Sequence, residues 1–152
     1  MKGALSDRLM QFCADNSYQI AEQWYKALST NTRTPAFRFL PQEACLRHAG
    51  FIYKSLQTIY FAEKPEGVAA HLLDVDGFAE DYYARNIPLE QVIYSIILLR
   101  RHLWLYAEFQ ALYNGLEDMM QMVENLNRVL LVFDYIIFIV SSKYHSLSSH
   151  SG

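Results

Sequence analysis

The stretch from Asn86 to Gln110 constrains this chain more than any other. Asn86 suits the left-handed turn that ends one helix, and Pro88 suits the first position of the next. A strongly apolar helix then runs to about Tyr113, burying Leu89, Val92, Ile93, Ile96, Leu99, Leu103 and Ala107. Arg100, Arg101 and His102 stand in the middle of that apolar surface. Charges so placed are either solvated on one flank or paired inside. The pairing reading has one candidate partner: Asp134, the single acid in the apolar run Val129 to Val140. Either arginine could also face an anionic ligand.

At 152 residues the chain is long enough for one domain with a real core. Its 52% hydrophobic and 19% charged residues are the reverse of a disordered composition. The net charge of −3, with no basic stripe, argues against nucleic-acid binding. Val129 to Val140 is too short for a bilayer span, which needs about 20 residues, so no membrane is expected. No signal-peptide pattern opens the chain. Cys13 and Cys45 fall at apolar helical positions and read as buried free thiols of a cytoplasmic protein.

The periodicity predicts an all-α bundle of five or six helices over residues 1–145, with a disordered tail at 146–152. Leu5 to Ser29 forms two short helices or one kinked at Asp15-Asn16-Ser17. Ser29 to Leu40 is a loop tacked down by Phe37, Phe39 and Leu40. Pro41 starts a helix with the stripe Cys45, Ala49, Ile52, Leu56 and Ile59. Residues 66–85 carry the stripe Val68, Leu72, Val75, Ala79 and Tyr82, with a bend at Gly77. After an Asn114-Gly115 turn, the last helix runs from about Leu116 to Tyr144 and closes a long C-terminal hairpin with its predecessor.

Chemistry is sparse. There is no phosphate loop, nucleophile elbow or prominent Cys-His-Asp spacing, so no catalytic residue is assigned and no enzyme is expected. Asp74, Asp76, Glu80 and Asp81 read as a solvated acidic face, without the loop glycine and closing Glu of a calcium site. Met119, Met120 and Met122 read as core or adaptable interface. His71, His102 and His48 are formal haem candidates but none carries a motif. His48 and His102 lack the Lys that follows three residues after a phosphotransfer histidine. No cofactor and no metal are expected.

Three stretches resemble one family. They are Ile20-Ala21-Glu22-Gln23-Trp24 followed by Arg33-Thr34-Pro35; Ile87-Pro88-Leu89-Glu90 with Val92-Ile93-Tyr94; and Leu98-Leu99-Arg100-Arg101-His102-Leu103-Trp104. In order and spacing they resemble the RsbT co-antagonist N-terminal (RsbRD-type) bacterial sensory domain. The resemblance implies an all-helical cytoplasmic input module, placed ahead of histidine kinase, STAS or helix-turn-helix output regions. It also implies a fold similar to the non-haem globin-like stressosome input domains. It supplies no catalytic residues. The chain departs from the family arrangement in having no output domain, so it is expected to be either a stand-alone regulator or an excised input module.

The expectation is therefore a non-catalytic signalling module, dimeric, acting by helix repacking on an output domain or partner protein. Val132, Ile136, Ile139 and Val140 are its expected dimer or output surface. The alternative is a globin-like domain that binds a small apolar molecule or, less readily, haem.

Overall fold

Helix ends fall where backbone chemistry puts them. The computed structural model describes residues 4–106, 109 and 119–151; among these it has seven α-helices, one 3-10 helix and no strand. The α-helices are α1 (Ala4–Asp15), α2 (Ser17–Thr30), α3 (Gln42–Tyr60), α4 (Pro65–Asp76), α5 (Phe78–Ala84), α6 (Leu89–Leu105) and α7 (Met119–Ser151). The 3-10 helix Pro35–Phe39 lies between α2 and α3. The chain is thus an all-α helical bundle, as its sequence predicts. Gly77 adds the seventh helix. Where the sequence predicts only a bend, Gly77 adopts φ 71° and its N–H reaches the Leu73 and Asp74 carbonyls, ending α4. Asn86 takes φ 63° between α5 and α6, the left-handed turn expected of it.

α3 packs against α1, α2, α4 and α7. Its predicted stripe Cys45, Ala49, Ile52, Leu56 and Ile59 is buried throughout. Fully burying a Leu, Ile or Phe side chain contributes about 1.5–3 kcal/mol, so such stripes supply the driving force. α6 and α7 run antiparallel: Arg100 meets Asp134, while Tyr144, further along α7, meets Ile87 at the start of the α6 hairpin arm. α7 buries Val129, Val132, Phe133, Ile136, Val140 and Tyr144 along one face and touches α1, α3, α4, α5 and α6.

The aromatic content is spent on pins. The Trp24 indole N–H donates to the Ser95 carbonyl at 2.9 Å, and the Tyr53 hydroxyl to the Leu99 carbonyl at 2.6 Å. Both acceptors lie on α6, a turn apart. The Tyr144 hydroxyl donates to the Ile87 carbonyl at 2.8 Å. Arg128 of α7 closes the end of α3, donating to the carbonyls of Tyr60 (2.6 Å) and Ala62 (2.9 Å). A guanidinium there also complements the negative end of the helix.

Five details depart from the sequence reading. First, α6 stops at Leu105, not near Tyr113. Tyr106 turns extended, and it and Phe109 are buried with Phe12, at ring separations of 5.8 and 6.1 Å. Ala107, the Asn114-Gly115 turn and the predicted start near Leu116 lie outside the described residues. Second, the loop after α2 is held by Phe37 and Leu40 but not by Phe39, which is 88% exposed. Third, α4 is rotated from its predicted stripe: Val75 is exposed, and Ala69, Leu73 and Asp76 face inward. Fourth, α7 continues to Ser151 through the segment expected to be a disordered tail. No Gly or Pro interrupts it before Gly152, and the Ser148 and Ser149 hydroxyls fold back onto the carbonyls of Tyr144 and His145. Fifth, Val132, Ile136 and Val140 form core, not an outer surface, and Ile139 is half-buried against that core. The inward face of α7 needs all of them to cover α4, α5 and α6.

Cys13 and Cys45 are both free and buried, and burial pushes the thiols up to about 12 and about 11. Thiolate is the reactive form, so both should be inert in the native protein. A disulfide-exchange reagent is expected to modify them only as fast as the chain unfolds. Rapid labelling of either thiol under native conditions would contradict this packing.

Candidate functional site

The charged residues singled out in α6 turn outward. Arg100 is partly exposed and its Nη1 stands 3.9 Å from Asp134 Oδ1, whose side chain is 66% exposed. The pair exists, but as a long surface contact and not as a buried bridge. Arg101 is exposed. His102 is half-buried, and burial, then the Arg101 charge, holds its ring below the usual histidine range. These residues share a flank of α6 and enclose no site.

The buried charge lies elsewhere, at the corner between α4 and α5. His48 is on α3, one residue before the predicted apolar position Ala49, and has no exposed surface. Its Nδ1 is 2.6 Å from Asp76 Oδ2, and its Nε2 is 2.7 Å from Asp81 Oδ2. The other oxygen of Asp76 meets Arg47 Nη1 at 3.1 Å, and that of Asp81 meets Arg85 Nε at 3.0 Å. Each carboxylate is thus shared between the imidazole and one guanidinium. Phe78 and Tyr82 wall the ring at 5.4 and 5.0 Å.

Both ring nitrogens are thus engaged by carboxylates, and Arg47 Nη2 also stands 3.2 Å from Nε2. Burial alone would raise Asp81; the hydrogen bond and charge of His48, and then Arg85, outweigh it and hold the carboxyl below its ordinary 3.8. Asp76 ends α4, where the helix dipole disfavours an anion, and its side chain is only 2% exposed. Arg47 and the His48 ring meet its two oxygens there.

With both nitrogens engaged and no exposed surface, His48 has no atom left for haem, a phosphoryl group or a proton acceptor. The cluster ties α3 to α4 and α5. The other half of the acidic face does something different: Asp74 and Glu80 meet Lys143 of α7 at 3.2 and 3.5 Å. The four acids therefore divide between a core histidine and the C-terminal helix. Close by, the Tyr82 hydroxyl is buried near the Cys45 thiol without a well-aligned hydrogen bond.

Two clefts open beside these elements. One, of about 620 Å³, lies between α1, the end of α3 and α7, lined by Tyr60, Glu63, Glu124, Asn127 and Arg128 among others. The other, of about 370 Å³, lies outside Arg47, between the start of α2 and the middle of α3. Among the described residues, no group of three or more His, Cys, Asp or Glu is arranged to hold a metal ion, and no helix is long and apolar enough to cross a membrane.

Sequence reasoning missed Asp76 and Asp81 because it placed them on a solvated face. A signal was present: an Asp as the last residue before a helix-ending Gly sits against the dipole and needs a cation. Arg85, four residues after Asp81, and the adjacent Arg47-His48 on α3 supply the cations. The site and fold define an all-α bundle with a buried ion-paired histidine. No family model, curated protein or solved structure matches the chain.

Removing the ring leaves Asp76 buried with Arg47 alone. His48→Ala is expected to cost about 3 kcal/mol or more in urea unfolding, whereas Asp134→Asn costs under about 0.5 kcal/mol. Equal effects would contradict the contrast in burial. Asp81's carboxyl is lowered on folding, so its contribution is complete above 3.8 and is lost as pH falls through its folded value. Asp81→Asn should flatten the stability profile below about pH 4.

Proposed function

We propose that this chain is a non-catalytic input or regulatory module of a bacterial stress or two-component type pathway, working in the cytoplasm by helix repacking and protein–protein contact. The observation that carries this reading is the two-sided character of α7. Its inner face is core, and its outer face leaves Val123 49%, Leu131 38% and Phe138 60% exposed. An element that packs on five other helices inside and presents apolar side chains outside is suited to report packing changes to a partner.

The resemblance to the RsbRD-type sensory domain supports the same reading, and its three stretches occupy positions that organise the bundle. Trp24 pins α2 to α6, the Thr34 hydroxyl donates to the Leu28 carbonyl at 3.0 Å, and Pro88 caps α6. The absence of a free nucleophile or base at the His48 cluster supports a structural use of its charges. The partner favoured first is a second copy of the chain, with Phe138 and Leu131 at the contact.

Light scattering at micromolar concentrations is expected to give a dimer. Leu131→Glu combined with Phe138→Glu should yield a monomer with unchanged helicity. A wild-type monomer at every concentration would sink the dimer, and a dimer indifferent to both substitutions would place the contact elsewhere.

A further inference from the structure

Three charges face one cleft without neutralising one another. The cleft of about 620 Å³ between α1, the end of α3 and α7 is lined by Arg128, Glu124 and Glu63, with Ser6 beside them and Ala62 and Leu131 as an apolar wall. Glu124 and Arg128 stand four residues apart, the spacing at which a helix ordinarily pairs an acid with a base. Here they do not pair, and Glu63 has no ion pair either among the described residues. Arg128 turns instead to the end of α3.

That turn immobilises the guanidinium. Its Nε and Nη2 are held by the Tyr60 and Ala62 carbonyls at 2.6 and 2.9 Å, and its centre stands 5.7 Å from the Tyr60 ring. A guanidinium carries five N–H groups. Three are left, in a half-buried position on the cleft. A guanidinium already fixed in place, with one edge unused, is suited to receive a carboxylate.

Acceptors, in turn, are in excess around it. Glu63 and Glu124 are exposed carboxylates without a cation. The Tyr60 hydroxyl, in the wall of the cleft, meets Ser6 Oγ at 2.9 Å and Asn125 Nδ2 at 3.2 Å. Asn125 is fully buried behind it, yet its Oδ1 has no hydrogen-bond partner. Native proteins leave few such atoms alone. The turn of α7 that carries Glu124 and Asn125 thus lacks donors, and Arg128 lacks an anion.

We propose that this cleft binds a free α-amino acid with an apolar side chain. The ligand carboxylate takes the open edge of Arg128, its ammonium takes Glu124 and Glu63, and its side chain lies against Ala62 and Leu131. One helical turn separates Glu124 from Arg128, so a single face of α7 reaches both ends of a small zwitterion. A simple anion meets two carboxylates here, and a simple amine meets the guanidinium; a zwitterion satisfies both signs. Leu131 also belongs to the contact proposed above for a second copy. A ligand here is then the input of that module, an extension that rests on the dimer reading; the binding itself does not.

The test is a titration of the full chain, labelled with nitrogen-15, with L-leucine and separately with L-phenylalanine. The controls are isopentylamine and isocaproate, which keep the leucine side chain and one charge each. Saturable amide shifts are expected at residues 60–63 and 124–131, with either control at least about tenfold weaker. Glu124→Gln, an exposed change, should weaken binding about tenfold, the worth of one charge-assisted hydrogen bond, at an unchanged melting temperature. Arg128→Gln should abolish binding; if it also melts early through loss of its hold on α3, Glu124→Gln and the two controls still decide. No saturation with either amino acid, controls that bind as tightly, shifts centred outside the cleft, or binding indifferent to Glu124→Gln would each overturn the proposal. Shifts read binding directly, so a chain that binds as a monomer supports the site and removes only its link to the dimer.

Discussion

A ring with two polar nitrogens and no exposed surface must find two partners inside the protein. His48 imposes that condition on everything around it. Its partners are carboxylates, and each of these, once drawn inward, needs a further cation. Arg47 and Arg85 meet that second demand. For Asp76 and Asp81 to reach opposite edges of one ring, the chain must turn between them, which is what Gly77 does. The outward carboxylates of the same segment, Asp74 and Glu80, are then presented to Lys143. A buried ion cluster of this kind is weak evidence of net stability, since an apolar replacement of like volume can be as stable. Its contribution is directional: it fixes how the α4–α5 corner sits on α3 and therefore on α7.

The bundle is held in register by a second device, hydrogen bonds from large side chains to helix carbonyls. Trp24 and Tyr53 reach α6 from two different helices at neighbouring turns, and Tyr144 reaches the turn before it. Each bond lets a bulky ring be buried without stranding its polar tip. The α6 helix, with few charges and many interchangeable aliphatic residues, would otherwise slide along its neighbours at little cost. Specific bonds at fixed heights remove that freedom.

The helices were legible from spacing alone, because 3.6-residue periodicity reports directly on which side is buried. α3 is the clear case: five apolar positions, all buried. The same method misplaced α4 by about one residue. Val75, a β-branched apolar residue, looked like core, and Asp76 looked like surface; the reverse is true, because a helix ending at Gly77 is aimed by its corner and not by its average hydrophobicity. The α7 error has a different cause. An apolar run shows that something covers it, but not whether the cover is the same chain or another, and Val132, Ile136 and Val140 turned out to be covered by their own bundle. Long-range pairing was the least legible. The ring of His48 meets residues 28 and 33 positions away, and no local pattern encodes such a meeting.

One consequence concerns scale. The 33 residues of α7 make a rod about 50 Å long, while a compact chain of this size has a radius of gyration of about 15 Å. The rod therefore crosses the whole molecule. Its opposite poles share one rigid axis, so a tilt of about 5° around its midpoint carries each end some 2 Å, in opposite directions. Displacements too small to disturb any single contact in the middle of the bundle become, at the two poles, movements the size of a rotamer change.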